Sequence, residues 1–259
     1  MFEAIRRFRE KLDQGRRCVG AGITLSDPAV TEALGQVADF VWIDLEHSPV
    51  GPEALAAHLI AARAAGTAAL VRVAGSDENL IKSALDIGAQ GIIVPQVRSA
   101  AEVHRAVSAC RYPPAGRRGY GPRRMSQYGR HGGPAYVRDA DAALFVSVQI
   151  ETAEAVAELA AILATPGLDG IVLGPYDLSF SMGKPGELAD PEIRATLERI
   201  VRDARAAGRY VGTGMGSDDE PLCEWAFSIG VQWVQIGGDC GYMVHFADRL
   251  YERIRTRNS

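Results

Sequence analysis

Short apolar runs alternate with amphipathic stretches along the whole chain. Eight of these runs read as buried strands: residues 18–24, 40–44, 69–73, 91–95, 144–150, 170–173, 210–214 and 233–236. Between them, residues 51–65, 77–87, 100–110, 152–164 and 190–207 place apolar side chains at helical spacing, and residues 1–10 begin a further amphipathic helix. The alternation predicts a parallel sheet, and eight units predict its closure into an α/β (β/α)8 TIM barrel. An open doubly wound sheet is the rival. It usually carries a glycine-rich turn after its first strand, but GAGITLSD at 20–27 lies partly inside the strand and lacks the third glycine. One long break, residues 112–136, contains PPAGRRGYGPRRMSQYG at 113–129. Such a loop is either a surface excursion or a lid or subunit contact. The second reading takes Arg117, Arg118, Arg123 and Arg124 toward an anionic substrate or a neighbouring chain, since planar guanidinium groups suit carboxylates.

The 259 residues suit one barrel domain over 1–259, and 47% apolar residues suffice for its core. A net charge of −4 and a pI near 5.8 provide no basic surface for nucleic acid. No apolar run approaches the roughly 20 residues of a membrane span. The first ten residues lack the apolar stretch of a signal peptide. Cys18, Cys110, Cys223 and Cys240 are scattered without metal-ligand spacing, which reads as reduced thiols in a cytoplasmic protein.

The candidate chemistry sits just past the strands. In a closed barrel the C-terminal strand ends converge on one mouth. Glu151 and Asp177 follow the fifth and sixth runs, and two carboxylates there make half a site for a hard divalent cation. The second run delivers Asp44, Glu46 and His47, the third Arg72 and the fifth Gln149. Any one of these alone reads as an ordinary ion pair; together on one rim they read as an active site. His47 is the one histidine directly after a strand end, so it is the candidate acid/base. Asp86 could orient it, but Asp86 stands at the far end of its helix, away from that mouth. It reaches His47 across a subunit interface or is a plain helix-terminal charge. Lys11, Lys82 and Lys184 all lie off the strands, which leaves no barrel lysine for a Schiff base and directs carbanion chemistry to a metal.

Six motifs, in order and with matching spacing, closely resemble the HpcH/HpaI family of metal-dependent (class II) pyruvate aldolases, within the phosphoenolpyruvate/pyruvate barrel superfamily. They are WIDLEHSP at 42–49, LVRV at 70–73, AQGIIVPQ at 89–96, RGYGP at 118–122, VQIET at 148–152 and LGPYDLS at 173–179. The resemblance implies reversible cleavage of a 4-hydroxy-2-oxo acid to pyruvate and an aldehyde through the pyruvate enolate. It also implies Mg²⁺, Mn²⁺ or Co²⁺ on Glu151 and Asp177. Gln149 and the backbone of Gly174, Pro175 and Tyr176, together with Asp177, would hold the 2-oxo acid. Arg72 would stabilise the enolate, His47 would be the acid/base and Asp86 would raise its basicity. The family forms homohexamers that exchange a C-terminal helix, here about 242–255, which makes the cross-subunit route for Asp86 plausible. Two departures bear on the acceptor aldehyde: many relatives carry a tryptophan where this chain has Gly22, and a small residue where it has Met125. The emptied volume at Gly22 is expected to be filled in part by Met125, with Arg123 and Arg124 beside it. The alternatives are a coenzyme A thioester lyase of the malyl or citryl type, an oxaloacetate decarboxylase, and, in another class, a catalytically silent scaffold barrel.

Overall fold

The computed structural model describes residues 1–216 and 219–256. The strands are β1 (Cys18–Ile23), β2 (Phe40–Asp44), β3 (Ala68–Arg72), β4 (Gly91–Val94), β5 (Phe145–Ile150), β6 (Gly170–Leu173), β7 (Tyr210–Met215) and β8 (Trp233–Gly238). Each pairs in parallel with the next, and β8 pairs with β1, so the sheet is a closed barrel. Closure rules out the open sheet.

A layer of helices surrounds the barrel. It comprises α2 (Pro28–Gly35), α3 (Pro52–Ala65), α4 (Glu78–Ile87), α5 (Ala100–Cys110), α6 (Gly133–Ala143), α7 (Ala153–Ala157), α8 (Leu159–Leu163), α9 (Pro175–Ser181), α10 (Pro191–Ala206) and α11 (Glu220–Ser228). The helix expected over 152–164 is two short ones, α7 and α8, broken at Glu158.

Alternation along the strands produces two apolar layers. Val41, Ile43, Val71, Ile92 and Val148 point outward and pack under the helices. Phe40, Trp42, Leu70, Phe145 and Trp233 point inward and fill the barrel. The inner rings need room on the facing strands. A Cβ on Gly212 would lie 2.0 Å from Trp233, so glycine there lets the indole cross the barrel.

The first helix, α1 (Glu3–Asp13), closes the N-terminal end of this interior. Its Phe8 ring lies 5.4 Å from Phe40, 5.7 Å from Phe145 and 6.1 Å from Trp233, the first residues of three strands. Arg9–Asp169 (2.9 Å) and Lys11–Asp39 (2.5 Å) pin the helix in place. Polar chemistry is therefore left to the opposite mouth. The last helix, α12 (Asp239–Thr256), buries only Asp239 among its described residues.

The long break packs along the outside of α4. Arg117 pairs with Glu78 (3.0 Å), Arg118 with Asp86 (3.7 Å), and Arg124 donates to the Leu59 carbonyl (3.0 Å). Met125 is buried beside Gly88, at the N-terminal end of the barrel. The expectation that Met125, Arg123 and Arg124 line this chain's own acceptor pocket is corrected: the loop runs away from the mouth, because its arginines find carboxylates and a carbonyl on α4 and a carbonyl on α3.

Candidate active site

Strand register assembles the mouth. Asp44 and Arg72 are direct partners across β2 and β3. Their side chains therefore meet, and Arg72 forks onto Asp44 through Nε (2.8 Å) and Nη2 (2.7 Å). Its third nitrogen, Nη1, reaches Glu46 Oε2 at 3.1 Å and Gln149 Oε1 at 3.5 Å. The guanidinium also stands 5.5 Å over the Trp42 ring. Burial alone would lower the Arg72 pKa, but the Asp44 fork and the charge on Glu46 outweigh it and raise it. Asp44 is its mirror image: burial pushes its carboxyl up, yet the bonds from Arg72 bring it below the usual range.

Glu151 follows β5, two strands around the rim from Arg72, and is 1% exposed. Its Oε2 accepts from Gln149 Nε2 (2.6 Å) and its Oε1 from the Gln96 backbone N–H (2.7 Å). Gln96 adopts a left-handed backbone, φ 55°, that aims this N–H inward. The carboxyl also lies against the backbone of Gly174, where a Cβ would sit 2.3 Å from Oε2. Burial pushes Glu151 up to about 7; the Gln96 N–H opposes this, and the charges of Asp177 and Glu46 add to it. Asp177 stands exposed in the first turn of α9, beside the exposed Tyr176 and the buried Pro175.

Among the described residues, no group of three or more His, Cys, Asp or Glu is gathered to hold a metal. The donor set here is two carboxylates, and its chemistry fits a hard divalent cation. Glu151 and Asp177 repel one another, and Glu151 is sealed from the water that would otherwise solvate its charge. Arg72 already serves Asp44 and Glu46. A divalent cation held between them would offset that repulsion.

The remaining expected residues divide. The His47 side chain is 64% exposed at the rim, its Nε2 3.6 Å from Glu46 Oε2. Asp86 is in the last turn of α4 beside Arg118, at the opposite end of the barrel from His47 in the same chain. Burial pushes its carboxyl up against the pull of Arg118. Sequence reasoning missed Gln96, whose unusual φ has no sequence signature beyond its place after Pro95. It also missed Gln235 of β8, which borders a cleft of about 270 Å³ at the mouth with Gly22, Trp42, Asp44 and Arg72. No large void remains at Gly22: a Cβ there would lie 3.0 Å from Gln235 Nε2.

Comparison with known proteins agrees with this geometry. The sequence profile of the HpcH/HpaI aldolase/citrate lyase family matches residues 23–245. A 4-hydroxy-2-oxo-heptane-1,7-dioate aldolase from Salmonella paratyphi C is 37% identical over 249 residues, covering 95% of this chain and 93% of the relative. The crystal structure of an HpcH/HpaI aldolase/citrate lyase family protein from Burkholderia cenocepacia superposes with a TM-score of 0.90 at 28% identity, covering 98% of this chain and 100% of the other. The Mycobacterium tuberculosis citrate lyase beta subunit, solved with oxaloacetate and magnesium, shares the fold with a TM-score of 0.56 at 20% identity, covering 85% and 92%. By profile, by sequence identity and by barrel geometry, the chain belongs to the HpcH/HpaI aldolase/citrate lyase family.

Proposed function

We propose that the protein is a divalent-metal-dependent aldolase that reversibly cleaves a 4-hydroxy-2-oxo acid to pyruvate and an aldehyde. The observation that carries this reading is the buried Glu151 carboxyl, pushed up to about 7 in the company of Asp177 and joined to Arg72 through the Gln149 amide. The 37% identity to a 4-hydroxy-2-oxo-heptane-1,7-dioate aldolase supports it.

Glu151 and Asp177 would hold Mg²⁺, Mn²⁺ or Co²⁺, which when bound supplies Lewis acidity to the 2-oxo acid. Gln149 orients the substrate, since its amide is itself oriented by Glu151 and Arg72. The backbone of Gly174, Pro175 and Tyr176 forms the floor beneath the 2-oxo acid, and the depth of Glu151 excludes water there. Arg72 stays charged in a partly buried site and stabilises negative charge on the enolate oxygen. In cleavage, His47 takes the proton from the 4-hydroxyl and the bond between C3 and C4 breaks; in condensation it returns that proton to the aldehyde oxygen.

Asp86 supports His47 only from a neighbouring chain, because its own chain holds it at the other end of the barrel. A homohexamer that exchanges α12 fits that requirement. Met243, Val244, Phe246, Tyr251 and Ile254 of α12 are all exposed in one chain, an apolar surface suited to a second copy. No described helix is long and apolar enough to cross a membrane, in keeping with a cytoplasmic enzyme.

The test is pyruvate release from 4-hydroxy-2-oxo acids, with and without chelator. Activity should vanish in chelator and return with Mg²⁺, Mn²⁺ or Co²⁺; full activity in chelator overturns the metal-dependent assignment.

A further inference from the structure

The mouth has two unlike halves. The β5–β6 half carries Glu151, Gln149 and Asp177. The β7–β8–β1 half is walled largely by glycine, including Gly22, Gly216, Gly237 and Gly238. Within that half, Gln235 stands above the barrel floor. Alternation along β8 puts it on the same inward face as Trp233, whose ring packs 5.3 Å from Phe40 and 6.0 Å from Trp42.

The carboxamide of Gln235 spans the gap between the flanking strands. A Cβ on Gly22 would lie 3.0 Å from its Nε2, and one on Gly214 would lie 3.0 Å from its Oε1. Its Nε2 donates to the Met215 carbonyl at 3.3 Å and, more closely, to the Gly237 carbonyl. Two carbonyl partners fix which end is nitrogen. The oxygen end, Oε1, accepts no hydrogen bond among the described residues.

The carboxylates nearby are already engaged. Asp239 accepts from Thr24 N (2.8 Å), Leu25 N (2.9 Å), Thr24 Oγ1 (2.7 Å) and Cys240 N (2.9 Å). Asp44 accepts from Arg72 and from the Glu46 N–H. Among the described residues, Gln235 Oε1 is thus an open acceptor in a cleft lined besides by glycines, Thr24, Trp42, Arg72, Cys240 and satisfied carboxylates.

Resting on the aldolase reading above, we infer that Gln235 sets acceptor specificity: its Oε1 accepts a hydrogen bond from the hydroxyl of a 2-hydroxyaldehyde seated between Arg72 and the glycine wall. The donor acid occupies the β5–β6 half, so the aldehyde carbonyl meets it from the β8 side. A hydroxyl beside that carbonyl then reaches β8, whereas an alkyl group there leaves Oε1 unsatisfied. The small side chains at 22 and 214 are part of the device, because a bulkier residue at either would displace the carboxamide.

The experiment compares pyruvate addition to glycolaldehyde and to propanal, which differ by hydroxyl against methyl. Oxaloacetate decarboxylation, which uses no aldehyde, is measured in parallel. The wild type should favour glycolaldehyde in kcat/KM by about tenfold, the upper range for one neutral hydrogen bond. Gln235→Leu should bring that ratio close to one, chiefly through the KM of glycolaldehyde, and lower decarboxylation far less. Gly214→Ala presses directly on Oε1 and displaces the carboxamide, and should reduce the ratio in the same direction. A wild type without the preference, or a Gln235→Leu enzyme that keeps it, overturns the inference while leaving the aldolase reading intact. Parallel loss of decarboxylation in both variants also overturns it, by making Gln235 a support for the mouth as a whole. A wild type inactive with both aldehydes overturns the aldolase reading and this inference with it.

Discussion

Burial and neighbouring carboxylates push Glu151 up to about 7, and this couples ion binding to pH. A divalent cation takes the ionised carboxylate, so binding must release the proton. With a pKa of about 7, roughly nine-tenths of Glu151 is ionised at pH 8 and roughly one-tenth at pH 6. The apparent Mn²⁺ affinity of chelator-treated protein should therefore fall about tenfold between those pH values, or about 1.4 kcal/mol. Isothermal titration calorimetry in buffers of different ionisation enthalpy measures both the affinity and the proton released, which should approach about 0.9 per ion at pH 6. Equal affinity at pH 6 and pH 8, or no proton release at pH 6, refutes the reasoning.

The same shift acts on stability, with a definite sign. The folded protein holds Glu151 at about 7, above its ordinary 4.5, so the metal-free fold is favoured by the protonated form. That contribution is complete below about pH 4.5 and is lost as pH rises through about 7. Glu151→Gln should consequently raise the Tm of the metal-free protein at pH 8, by the equivalent of about 3 kcal/mol, and leave it unchanged near pH 4.5.

Further expectations test the neighbours. Arg72→Ala strands two carboxylates, Asp44 and Glu46, and should cost about 3–5 kcal/mol in chemical denaturation. Adding Asp44→Asn should recover part of that, and no recovery would mean that the fork is not the source. Arg72→Ala should also lower both aldol cleavage and oxaloacetate decarboxylation by about 10²–10³, because both pass through the enolate. His47→Ala should spare decarboxylation, and equal losses in the two variants would contradict the division of roles. Gly174→Ala would place a Cβ 2.3 Å from Glu151 Oε2 and should weaken metal affinity about 10–100-fold with the circular dichroism spectrum unchanged. Borohydride with pyruvate should leave the enzyme active, since Lys11 is paired with Asp39, Lys184 with Asp190, and no lysine lies on a strand; a trapped covalent adduct would contradict this.

The sequence by itself determined the barrel and what stands on its rim. Short continuous apolar runs place strands within a residue or two of where they fold, because both faces of a parallel barrel strand are buried. Polar residues at or just past the C-terminal ends of such runs lie at the mouth wherever the barrel closes, which is why Asp44, Arg72, Gln149 and Glu151 were legible. What the tertiary structure decided is how those groups meet. The fork between Asp44 and Arg72 follows from the register of β2 on β3, which no local pattern encodes. The raised carboxyl of Glu151 depends on its depth and on charges from other strands. The left-handed Gln96 and the inward carboxamide of Gln235 are each set by neighbours distant in sequence. The arginine-rich loop carried no signal for its direction, since arginines satisfy carbonyls of α3 and α4 as readily as they would an anionic substrate. Periodicity is a local property of the chain, whereas protonation, register and loop direction depend on contacts between segments that only the closed barrel brings together.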